Sequence, residues 1–239
     1  MPYRRLPNTD MARLRALKSA LAKVDDEGMS TLAFTTKTAM TARSFTPVFE
    51  QAVQMYNNSK EAQAQASKAV GEAGKVARLY VSHYIQVFNL CIARGEIKPE
   101  ARALLGMDEA TATVPDMTAD QQLLEWGRKV IEGEGKRMSS GGGTRIYNPS
   151  IALVKVKMDM FEEKYNRHRD LLGISQKFHD KLDEVRQKAD EIILSIWNEV
   201  EATFSPIDTE EKRRACQDYG VVYFYRPNER QRDFLMGKI

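Results

Sequence analysis

Three histidines, two cysteines, one glycine-rich segment and the basic, aromatic chain ends are the parts of this sequence equipped for chemistry. Helical proteins hold paired irons or manganeses with inward-facing Glu-x-x-His motifs. Here His83 follows Tyr80, His168 follows Tyr165 and His179 follows Gln176 at that spacing, so the motif is absent and no metal or other cofactor is expected. Cys91 lies in an apolar stripe and Cys216 in a charged stretch, without CxxC spacing or a histidine nearby. They read as one buried thiol and one incidental thiol, with neither a disulfide framework nor a zinc site. No nucleophile elbow or other catalytic motif surrounds any serine or cysteine, so no catalytic residue is assigned.

The glycine-rich segment Gly141 to Arg145 fails as a phosphate loop. The Gly-Lys pair of this sequence, Gly135-Lys136, is followed by Arg137 and preceded by a helical pattern, where Walker A needs a strand before and Ser or Thr after. A flexible linker is the expectation. Arg145, just before a helix start at Asn148, is nevertheless placed to hold an anion against free backbone N–H groups. His83 has two readings: a buried neutral imidazole bonded to a neighbouring helix, or the polar floor of a pocket on which Tyr80, Tyr84 or Asn89 converge. At the termini, Arg4 and Arg5 on one side and Tyr223, Tyr225, Arg226, Arg230 and Arg232 on the other would meet if the last strand folds back. Arginine interleaved with aromatics can stack bases or bind acidic peptides; it is also how a soluble edge strand looks.

These residues need elements to position them. Ala77 to Arg94 carries Tyr80, Val81, Tyr84, Ile85, Val87, Phe88, Leu90, Cys91 and Ile92 on more than one helical face. A stripe that wide predicts a helix packed on several sides. Before it, Thr9 or Asp10 caps a helix over Met11 to Val24, and Ser30 to Thr36 reads as a short strand. Pro47 suits an early position in a helix from about Ser44, with a turn at Asn57-Asn58-Ser59 or, as a rival, between Gly71 and Gly74. After Gly95 come a short helix, Pro99 to Leu105, and one opened by Thr118 or Asp120 that ends near Arg137. Asn148 as N-cap and Pro149 at the first position start a helix that Gly173 ends and Ser175 restarts, with Ile192, Ile193, Ile196, Trp197 and Val200 on its buried side. Thr209 caps a charged helix closed by Gly220, and Val221 to Arg226 forms a strand paired with Ser30 to Thr36.

The predicted fold is mainly all-α: a single domain over 1–239, a four-helix bundle made from two αα-hairpins, with accessory short helices and one small β pairing. The hydrophobic pattern of 38–106 aligns with that of 150–220, as a duplication would give and as any two amphipathic hairpins would. With 239 residues, 36 basic against 33 acidic side chains and a net charge of +3, the chain can bury a substantial core and makes no strong electrostatic case for nucleic acid. No apolar run reaches the about 18 residues of a membrane span, and the N-terminus has basic residues without an apolar segment after them, so a cytoplasmic location is expected.

The phrases Arg4-Arg5-Leu6-Pro7, Asn148-Pro149-Ser150-Ile151-Ala152, Trp197-Asn198-Glu199-Val200-Glu201 and Tyr219-Gly220-Val221-Val222-Tyr223 together resemble an uncharacterised family of helical proteins from gut bacteria. The resemblance covers nearly the whole chain and implies a helical fold and a bacterial cytoplasmic setting, without an activity. Three functions follow as expectations. The first is a non-catalytic bundle that binds a protein partner or itself. The second is a small-ligand binder or enzyme with its pocket between the hairpins, near His83, Tyr84 and Trp197, and the third is weak nucleic-acid binding.

Overall fold

A computed structural model describes residues 3–28, 31–206 and 209–224. In chain order the elements are β1 (Tyr3–Arg4), α1 (Asp10–Glu27), α2 (Thr36–Ala93), α3 (Ala101–Leu104), α4 (Asp120–Ser139), α5 (Ile151–Thr203), α6 (Thr209–Asp218) and β2 (Tyr223–Phe224). The fold is mainly all-α, as expected, with one two-stranded antiparallel sheet pairing Tyr3 with Phe224 and Arg4 with Tyr223. Among the described residues no helix is long and apolar enough to cross a membrane.

The chain divides into two compact units, 1–59 with 175–239, and 60–174. The boundaries fall where the sequence suggested hairpin turns, but the helices run on through both places. At the first, the Ser59 hydroxyl donates to the Tyr56 carbonyl at 2.7 Å inside the helix, where an N-cap serine would accept from a later N–H. At the second, Gly173 keeps a negative φ and so makes no left-handed cap, and Ser175 is buried in mid-helix. Pro47 likewise lies inside α2, on its exposed side. Two hairpins are therefore replaced by two long helices, each lending one segment to either unit.

In unit 1 the α1 seam of Leu14, Leu17 and Val24 packs with Phe45, Phe49 and Val53 of α2 and with Leu182, Ile193, Ile196, Trp197 and Val200 of α5. Thr9 caps α1 by accepting the Ala12 N–H at 3.2 Å. The segment 31–35 holds no strand, and the partner of β2 is β1. Its apolar residues Ala33 and Phe34 are buried in the core instead, and Thr203 donates its hydroxyl to the Ala33 carbonyl at 2.8 Å. Short apolar runs look alike whether they pair as strands or fill a core.

In unit 2 the core joins Val81, Tyr84, Ile85 and Phe88 of α2 to Leu123, Leu124 and Val130 of α4 and to Val154, Met158 and Phe161 of α5. Burying each such aliphatic or aromatic side chain contributes roughly 1.5–3 kcal/mol before entropy is counted. The stripe at 77–94 is thus covered on several sides, as its width predicted. The stripe at 189–200 belongs to the core of unit 1 and that at 77–94 to the core of unit 2. Helix α5 begins at Ile151, preceded by a cis peptide at Asn148–Pro149. Ser150, not Asn148, caps it by accepting the Leu153 N–H at 3.3 Å.

Candidate functional site

In unit 1 residues 3–5 and 222–224 meet beside the start of α1. The Arg5 N–H donates to the Val222 carbonyl at 3.1 Å and extends the ladder of the small sheet by one step. Successive residues of a strand face opposite sides, and here they meet different partners. Arg4 bonds Glu201 at 3.0 Å and lies 6.0 Å from the Trp197 ring centroid, while Arg5 sits 5.4 Å from the centroid of Phe224. The Tyr223 hydroxyl donates to the other Glu201 oxygen at 2.6 Å. Burial first, and then the Glu201 carboxylate, push the Tyr223 phenol well above its ordinary range, so it stays neutral. Burial does the same to the Cys216 thiol close by.

Between this sheet and α1 opens a cleft of about 540 Å³. Leu6, Pro7, Val221 and Phe224 give it apolar walls, Trp197 part of its floor, and Arg5, Arg15, Asn8 and Gln217 its polar groups. Gly220 lets α1 come close: at φ 85° a Cβ there would stand 3.1 Å from the Ala16 carbonyl oxygen. The arginines of unit 1 differ in their partners. Arg4, Arg13, Arg43, Arg186 and Arg214 each reach a carboxylate. Arg5 and Arg15, which line the cleft, have no carboxylate partner among the described residues.

Unit 2 holds a different arrangement. Glu134 and Arg137 lie on the core side of α4, with side chains 2% and 0% exposed, joined by two bonds of 2.7 Å each. The guanidinium also donates to the Gly142 carbonyl and, at 3.0 Å, to that of Thr144, and lies 5.9 Å from the Phe88 ring centroid. The Tyr84 hydroxyl is enclosed beside this pair without a hydrogen bond of good geometry. Burial, and then the Glu134 charge, raise its pKa far above the usual phenol value. The glycine-rich segment is accordingly no free linker. Gly141 and Gly143 have φ of 70° and 93°, and a Cβ on Gly142 would fall 2.6 Å from Arg137 Cγ. A chain wrapping a buried guanidinium this closely needs glycine at these positions.

The sequence candidates divide accordingly. Arg4, Arg5, Tyr223 and Trp197 come together in unit 1, with Tyr223 turned inward; Tyr225 lies outside the described residues. Tyr80, His83, Tyr84 and Asn89 belong to unit 2, whereas Trp197 is buried in the core of unit 1. His83 is exposed, outside the core face that Val81, Tyr84, Ile85 and Phe88 share, and it floors nothing. Tyr80 packs under Lys157, whose Nζ lies 5.7 Å from the ring centroid. Asn89 is structural, accepting from Arg102 at 2.9 Å and donating to the Ala112 carbonyl at 3.1 Å. Arg145 and Asn148 are exposed at the start of α5. The residues overlooked were Arg15 and the Glu134–Arg137 pair. The signal for the pair was there: Leu123, Gly127, Val130, Glu134 and Arg137 continue one seam at three- and four-residue spacing.

Comparison of the chain with descriptions of known protein families, with curated protein sequences and with solved structures finds no match in any of the three.

Proposed function

We propose that this chain is a non-catalytic binding protein, set in a bacterial cytoplasm, whose unit 1 cleft takes an extended acidic segment of a protein partner. The observation that carries the reading is the sorting of charges: the arginines of the cleft are those without a carboxylate, beside apolar walls that an extended segment can cover. Charge-assisted bonds from guanidinium to carboxylate are among the stronger polar contacts, and they steer encounter as well as hold the complex.

Selection from a random peptide library displayed on phage tests it, with the purified chain as bait. Enriched peptides should carry Asp or Glu next to apolar residues, and binding should fall on double substitution Arg5→Ala and Arg15→Ala and weaken with added salt. Failure to enrich acidic peptides, or affinity unchanged in the double variant, contradicts the reading. Retention of single-stranded oligonucleotide on a filter at low salt, lost in the same variant, would move the assignment to nucleic acid.

A further inference from the structure

We propose that unit 2 carries a separate ligand site, a pocket beside the 141–147 loop that takes a small amphipathic anion, an apolar body bearing one carboxylate or phosphate, with Arg145 as the anion's partner. The pocket has a volume of about 480 Å³, within the usual range for small-molecule sites. Ile131 and Met138 of α4, Ile146 of the loop and Ile151 of α5 supply its apolar walls.

Two cations stand at it. Lys155 is paired with Asp159 at 2.7 Å, whereas Arg145 is exposed and makes no hydrogen bond or ion pair with any described residue. The carboxylate that also borders the pocket, Glu134, has both oxygens bonded to Arg137, which offsets its charge. What the pocket offers a ligand is therefore an apolar cavity and a positive group without a partner.

The loop that presents Arg145 is held in place. Its carbonyls at Gly142 and Thr144 are fixed by Arg137, Thr144 donates its N–H to the Glu96 carbonyl at 3.4 Å, and Ile146 is buried. With Ile146 turned into the core, Arg145 and the 77% exposed Tyr147 flank it at the pocket. A guanidinium carried on a fixed loop loses less freedom when a ligand arrives. This gives the desolvated Glu134–Arg137 pair a function beyond packing.

The test is titration calorimetry of the full chain with sodium decanoate, decyl phosphate, 1-decanol and inorganic phosphate, below micelle-forming concentrations. At least one of the two decyl anions should bind saturably at one site, more tightly than decanol and inorganic phosphate, and the tighter head group names the natural one. Arg145→Gln should weaken that binding roughly tenfold or more, as loss of a charge-assisted contact does. Gly135→Leu should abolish it without unfolding the protein, because Gly135 lines the pocket and a Cβ there meets nothing within 4 Å. No saturable binding by either anion, undiminished affinity in Arg145→Gln, or retained binding in stably folded Gly135→Leu would each overturn the proposal.

Discussion

Both units carry ion pairs at their surfaces, but among the described residues unit 2 also encloses one. In unit 1 the ion pairs sit at the rim of the helix packing. Arg13 meets Asp190 through two bonds of 2.8 and 2.9 Å, and Arg186 meets Asp10 through two of 2.7 Å, with side chains 13–36% exposed. In unit 2 the Glu134–Arg137 pair is inside. A rim pair keeps much of its hydration and contributes little, whereas removing one partner of a buried pair leaves an ion in low dielectric. The difference teaches that burial, more than bond length, decides how much the rest of the fold depends on a charge. Unit 1 uses its pairs to align helices that a hydrophobic seam already holds, and unit 2 uses its pair to fix a loop that has few apolar residues of its own.

The sharpest break of that contrast is Arg137→Met. It strands Glu134 and leaves the Gly142 and Thr144 carbonyls without their donor, and should lower stability by about 3–5 kcal/mol in denaturant titration. The double change Glu134→Leu with Arg137→Met should recover most of that loss, since well-packed apolar pairs often replace buried ions without harm. Next is a probe of packing alone in α4. Gly133→Ala drives a Cβ into the Leu104 carbonyl and should cost about 1–3 kcal/mol, while Gly135→Ala, with open space around it, should gain up to about 1 kcal/mol from helix propensity. Arg13→Ala at the rim of unit 1 should cost about 1 kcal/mol or less. A loss there as large as that of Arg137→Met would erase the distinction.

The smallest effect concerns Glu199 of α5, whose carboxylate bonds the start of α2. Burial would raise its pKa, but the Thr35 N–H and the hydroxyls of Thr38, Thr35 and Ser195 bond the carboxylate and hold it below the ordinary glutamate range. A lowered folded pKa means stability that is complete above about pH 4.3 and is lost as pH falls through the folded value. Glu199→Gln should therefore flatten the fall in thermal midpoint between about pH 5 and 3, and leave the alkaline side unchanged.

The helical class, the Thr9 cap and the glycine stops at Gly95 and Gly220 were legible in the sequence, because each is set by local periodicity or backbone preference, whereas β2 pairs with β1 and not with the expected segment 30–36. The same local preferences point to turns at Asn57–Ser59 and Gly173–Ser175, where α2 and α5 in fact continue. Residues that favour a break locally are carried through by the packing on either side, which outweighs a propensity of about 1 kcal/mol. The cleft was half legible. Arg4, Arg5 and Tyr223 announced it by composition, but Arg15 looks like any exposed helical arginine, and only tertiary placement sets it apart. The buried pair is hard to see in the sequence because the α4 seam passes from aliphatic to charged residues after Ile131.

In unit 2 the glycine-rich loop is held by a buried charge. Amide hydrogen exchange across residues 141–147, followed by mass spectrometry in the wild type and in the Glu134→Leu, Arg137→Met double variant, tests this most directly. The Thr144 N–H and its neighbours should exchange slowly in the wild type and at nearly unprotected rates in the stably folded double variant. Rapid exchange of the segment in both proteins would contradict the account and return the loop to the status of a linker.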